Sequence, residues 1–206
     1  MTNRLLAMVK PLALGLFAIA FLAFASGEAR ADEVTISGST TGTVTGVPQL
    51  TFTGNNFTGT TALGTGSLSG SNSLGSFFLS TAPTQALSGS FTLNVTFTAP
   101  TGITGGQGST YTAQITGSVS PNIDQGGVLV HFNNPTQTFT FSNGTTTGSF
   151  TLTLADVFVQ TGRSAQLTAG ITGQQNPIPE PATMILLGTG LAGVAAGARR
   201  RRKAKA

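Results

Sequence analysis

The chain has no cysteine, no tryptophan, one tyrosine and one histidine, and charged residues make up only 8% of its 206 positions. Each absence removes a class of function. Without cysteine there is no disulfide scaffold, no thiolate metal site and no cysteine nucleophile. With His131 as the sole histidine, one chain cannot build a multi-histidine metal centre. Charge at 8% compares with roughly 25% in ordinary soluble domains. The formal charge of +4 suggests a nucleic-acid binder until its placement is read. Between Asp32 and Asn176 the only basic residue is Arg163, against Asp32, Glu33, Asp124 and Asp156, so the middle of the chain carries −3. Counterion release from a phosphate backbone needs clustered Lys and Arg, so no nucleic-acid partner is expected.

The basic residues lie at the two ends. Arg4 and Lys10 precede the uncharged run Leu12–Ala25, and Ala29-Arg30-Ala31 has the small-x-small form that signal peptidase accepts. This predicts a signal peptide over residues 1–31, cut before Asp32, with cuts after Gly27 or Ala29 as alternatives. The apolar run is short for a permanent span of about 20 residues, and an uncleaved anchor is the competing reading. Export places the remainder in the periplasm or beyond.

At the other end, Pro177-Ile178-Pro179-Glu180-Pro181 is stiff and extended, because proline fixes its own φ and disfavours helix in the residue before it. Ala182–Ala198 is uncharged and at the short end of the spanning range, and Arg199, Arg200, Arg201, Arg202 and Lys203 follow. Such a cluster stays cytoplasmic, which predicts a transmembrane helix ending in a cytoplasmic basic anchor, with the preceding chain outside. The order of these parts, Pro179-Glu180-Pro181, apolar run, arginine cluster, resembles the PEP-CTERM sorting signal, over about the last 30 residues. The resemblance implies an exosortase partner that carries its own catalytic cysteine. It further implies removal of the tail near Pro179, Glu180 and Pro181, and delivery to the cell surface or an exopolysaccharide matrix. Inside the apolar run, Gly188-Thr189-Gly190-Leu191-Ala192-Gly193 matches GxGxxG. It lacks the preceding strand and the downstream acid of a dinucleotide site, so no cofactor is expected. Gly193 and Gly197 have the spacing of a close helix contact, which ordinary small-residue composition also explains.

The middle, residues 32–176, holds 32 Thr, 16 Ser and 22 Gly. Such composition can signal disorder, but period-two alternation argues for strands. Phe91, Leu93, Val95 and Phe97 alternate with polar residues. So do Tyr111, Ala113 and Ile115; Phe139 and Phe141; Phe150, Leu152 and Leu154; and Leu167, Ala169 and Ile171. Val128–Phe132, Val157–Val159, Ser76–Ser80, Val34–Ile36 and Leu50–Phe52 are shorter candidates. Turn residues separate the runs, and Asn143-Gly144 is a hairpin signal between the Phe139 and Phe150 strands. Residues 54–75, rich in Gly, Ser and Thr, read either as irregular edge strands or as a loop. The predicted fold is all-β, an antiparallel sandwich or partial barrel, between a signal-peptide helix and a transmembrane helix. Three segments follow: 1–31, 32–176 and 177–206. About eleven Phe in the middle supply the core, at about 1.5–3 kcal/mol for each ring buried.

Candidate chemistry in the middle is sparse. His131 with Asp124 or Asp156 and a serine would form a triad, but the GxSxG elbow is absent, and a solvent-facing strand histidine is the simpler reading. Asp124 and Asp156 would have to meet across the fold to act as a glycosidase pair, and two acids are too few for a tight calcium site. Asn56, Asn94 and Asn143 begin N-x-S/T sequons that a Thr-rich chain produces by chance. The expectation is an exported, non-enzymatic surface or matrix protein with no cofactor or metal. Its partners would be signal peptidase, the sorting enzyme, the membrane transiently, and exopolysaccharide. A carbohydrate-binding module is the alternative, disfavoured by the lack of Trp unless Phe side chains line an exposed face. A secreted hydrolase is second, and a strand-adding fibre is a further option.

Overall fold

The computed structural model describes residues 33–177, 186–194 and 197. The body is almost entirely antiparallel β-structure. Its strands are β1 (Thr35–Thr45), β2 (Leu50–Gly54), β3 (Asn56–Thr60), β4 (Thr65–Leu68), β5 (Gly75–Leu79), β6 (Gln85–Ala99), β7 (Gly108–Val119), β8 (Gly127–Phe132), β9 (Thr136–Ser142), β10 (Thr146–Leu154), β11 (Val157–Gln160), β12 (Ser164–Gln166) and β13 (Ala169–Pro177). Six of them form one sheet in the order β11-β8-β7-β6-β1-β3, which curls as a half-barrel. Four form a second, β4-β13-β10-β9, and three a third, β12-β5-β2.

Phenylalanine decides how the sheets meet. On β6 the alternation turns Phe91, Leu93, Val95 and Phe97 inward, and all four are buried. Phe97 lies 5.0 and 5.3 Å, centroid to centroid, from Phe139 and Phe150 of the four-stranded sheet. Phe91 lies 4.9 and 4.8 Å from Phe52 and Phe77 of the three-stranded sheet. One long central strand is therefore covered at two points by two different sheets, mostly through the tilted and edge-on contacts that aromatic quadrupoles favour. Seven of the eleven body Phe are buried: Phe57, Phe77, Phe91, Phe97, Phe132, Phe141 and Phe150.

Residues 54–75 form edge strands and turns. Within them are β3, β4 and a one-turn 3-10 helix at Gly70–Asn72, with Phe57, Leu68 and Leu74 buried and Leu63 at a turn tip, 98% exposed. β1 extends well past the Val34–Ile36 run. Its inward positions after Ile36 are Gly38, Thr40, Gly42 and Val44, so hydropathy alternation fades although the strand continues.

The expected flanking helices fall wholly or in part outside the described residues. Helical residues at the carboxyl end are 186–194 and 197, and no helix among the described residues is long and apolar enough to cross a membrane. The remainder of the expected Ala182–Ala198 run lies outside the described residues. Gly188, Gly190 and Gly193 weaken the helix from within. The signal-peptide helix expected over residues 1–31 lies outside the described residues.

Candidate functional site

Alternation on β8 turns Val128, Val130 and Phe132 into the core and leaves Leu129 and His131 outside. Asp156 sits at the corner between β10 and β11. Its Oδ1 accepts the Phe132 N–H at 3.0 Å, and its Oδ2 meets His131 Nδ1 at 2.6 Å. The Phe132 N–H first and His131 second hold the Asp156 carboxyl below its ordinary range. A carboxylate on Nδ1 fixes the imidazole and turns Nε2 outward, which is the orienting half of a catalytic triad. The nucleophilic half has no counterpart among the described residues, where no hydroxyl is bonded to Nε2. The two side chains are 59% and 41% exposed, so water is not excluded. His131 points to solvent as expected, but it is tethered.

Asp124 is engaged elsewhere. It has a positive φ of 64°, a conformation that Asp tolerates in turns. The Nε–H and Nη2–H groups of Arg163 donate to its two carboxylate oxygens, each at 2.8 Å. Hydrogen bonding from Arg163 depresses the Asp124 carboxyl and raises the guanidinium. The Asp124 N–H donates to the Thr161 carbonyl, so Asp124 and Asp156 lie at opposite ends of β11. Five extended residues separate those ends by roughly 16 Å. Paired glycosidase carboxyls stand about 5–9.5 Å apart. Of the three polar candidates, the fold unites His131 and Asp156 and sends Asp124 to Arg163. No three acids or histidines converge into a metal-sized cluster among the described residues.

The outward faces of the sheets are built from short hydroxyl side chains. Across the four-stranded sheet Thr138, Thr151, Thr172 and Thr65 stand in one rank, and Thr140, Ser149 and Gln174 in the next. Hydroxyl pairs bond across strands, Thr138 to Thr151 at 2.8 Å and Thr136 to Thr153 at 3.2 Å. A shallow groove of about 230 Å³ crosses these ranks between Thr151, Thr172, Ser149 and Gln174, with Gly64 at its rim. None of the four strands contains a charged residue. The side chain that periodicity should have flagged is Phe158. In Val157-Phe158-Val159 a period of two puts the two valines inside and the ring outside, where it is 58% exposed.

β13 ends at Pro177 and helix is next described at residue 186. Pro179, Glu180 and Pro181 fall between them, outside the described residues, as do Ala29, Ala31 and Asp32 at the expected amino-terminal cut and Arg199, Arg200, Arg201, Arg202 and Lys203 at the end. The family model of the PEP-CTERM protein-sorting motif matches residues 177–202. The chain carries a PEP-CTERM sorting motif. The match begins on the last residue of β13. No curated protein and no solved structure matches the chain.

Proposed function

We propose that this chain is an exported, non-enzymatic protein of the cell surface or its polysaccharide matrix, delivered by exosortase-type processing at its PEP-CTERM motif. The observation that carries the reading is the motif match at residues 177–202, with its Pro179-Glu180-Pro181, apolar run and arginine cluster in order. The Leu12–Ala25 run and the Ala29-Arg30-Ala31 site supply the complementary export signal. In this mechanism signal peptidase releases the amino end at Asp32 and the β-body folds outside. The Ala182–Ala198 run, with Arg199–Lys203 retained on the cytoplasmic side, holds the precursor at the inner membrane. Pro179, Glu180 and Pro181 are then met at the outer membrane face by the sorting enzyme, where the tail is removed. A body with few charges and hydroxyl-covered sheets suits a sugar-rich setting, in which hydrogen bonds outnumber ion pairs. The open setting of His131 and Asp156, and the diversion of Asp124 to Arg163, favour a non-enzymatic role.

Cell fractionation with mass spectrometry of both termini tests the proposal. The sorted form should begin at or near Asp32 and lack Arg199–Ala206. Full-length protein with intact ends in a sorting-competent cell would refute it.

A further inference from the structure

The edge of the six-stranded sheet carries a surface unlike the hydroxyl ranks around it. Phe158 of β11 stands opposite Leu129 of β8, and both are solvent-facing, 58% and 40% exposed. The Phe158 ring does not project freely. A Cβ added to Gly127 would fall 2.5 Å from its Cζ, so the ring lies down over a glycine that is on the outer face yet buried. Polar groups flank this flat aromatic and aliphatic strip along both strands. Gln160, two residues beyond Phe158, lies opposite Gly127. On the other side is His131, tethered by Asp156.

We propose that this strip binds a neutral polysaccharide, stacking one pyranose ring on Phe158 with Gln160 and the His131–Asp156 pair bonding its hydroxyls. A pyranose offers an apolar C–H face and a rim of hydroxyls. A flat ring between an amide, an imidazole and a carboxylate complements both. Size selects against a protein partner: two apolar side chains fall far short of the roughly 800 Å² per side of a stable interface. Charge selects against an anionic polymer, because the body carries −3 and Arg163, its one cation, is already paired with Asp124. The inference rests on the surface-protein reading only for the encounter with extracellular sugar.

The test is calorimetric titration of the full chain in detergent with cello-, manno- and xylohexaose and with an alginate hexamer. Phe158→Ala and Phe158→Trp are titrated in parallel, and sedimentation follows self-association. At least one neutral hexasaccharide should bind. Phe158→Ala should weaken it on the order of tenfold, and Phe158→Trp should retain or tighten it. Three results would overturn the proposal: no neutral oligosaccharide bound, alginate preferred, or binding insensitive to both variants. A Phe158-dependent dimer that binds no sugar would assign the strip to a second copy of the chain and would likewise overturn it. Terminal processing is read separately, so loss of this inference would leave the sorting proposal standing.

Discussion

Tyr111 is the chain's only tyrosine and, with tryptophan absent, a clean optical probe. It is buried on β7 beside the Ser109 hydroxyl, which donates to Gln137 and keeps its lone pairs toward the phenol. Burial pushes the phenol well above its ordinary value of 10.0, and Ser109 opposes this weakly. The neutral form is favoured in the folded state. Its contribution is therefore complete below pH 10 and is lost as pH rises through the higher folded value. Absorbance titration should show no phenolate until the protein unfolds above about pH 10. Tyr111→Phe removes a buried hydroxyl that Ser109 engages only weakly, so chemical denaturation should find it within about 1 kcal/mol of the parent. Asp156 shows the opposite sign. Its folded pKa is depressed, so its contribution is present above the ordinary carboxylate value and fades as pH falls through the lower one. Asp156→Asn should melt below the parent near about pH 6, and the two melting curves should converge as pH falls through the depressed carboxyl value.

Among the elements, the β9–β10 hairpin rests on one side chain. Asn143 Oδ1 accepts the N–H groups of Thr145 and Thr146 at 3.1 and 2.8 Å and both their hydroxyls at 3.0 and 3.1 Å. Asn143→Ala should cost about 1 kcal/mol in a denaturant melt. Gly42 on β1 is a packing position. A Cβ there would lie 2.5 Å from the Phe91 ring and 2.6 Å from that of Phe52. Gly42→Ala should destabilise by about 1–3 kcal/mol, more than an exposed strand glycine such as Gly170, which has open space around it. These two sites also mark where the sequence is readable. β6, β7, β9 and β10 could be recognised because their inward positions are mostly apolar and rich in Phe and Leu, and the Asn-Gly turn between β9 and β10 announces itself. β1 faded beyond Ile36 because its inward Gly38 and Gly42 make room for rings arriving from other strands and its inward Thr40 donates to the Leu74 carbonyl. A glycine chosen for space has no hydropathy to read. β3 and β4 each hold one buried apolar anchor, Phe57 and Leu68, too few to set a period. The Asp124–Arg163 and Asp156–His131 pairings join residues 39 and 25 positions apart. They follow from strand order, which local pattern does not encode.

At the scale of the whole molecule, the β-body and the sorting segment share a boundary. β13 lies inside its sheet, paired with β10 from Thr146 to Leu154 on one side and with β4 on the other, and buries Ala169 and Ile171. The PEP-CTERM match starts at Pro177, where that strand stops. Processing at or after Pro179 leaves every β13 hydrogen bond in place, whereas a cut a few residues earlier would shorten a strand that two neighbours depend on. The dependence is testable without the sorting enzyme. A chain from Asp32 ending at Pro177 should melt within a few degrees of one that keeps the tail, since no described β-strand lies beyond it. A chain ending at Thr168 should fail to melt cooperatively. It exposes the apolar faces of Phe150 and Leu152, strips β4 of its main-sheet partner and leaves two strand edges open. Circular dichroism melts of the two truncations decide the matter. Equal stability of both would mean that β13 is dispensable and that the body does not constrain where the tail is cut.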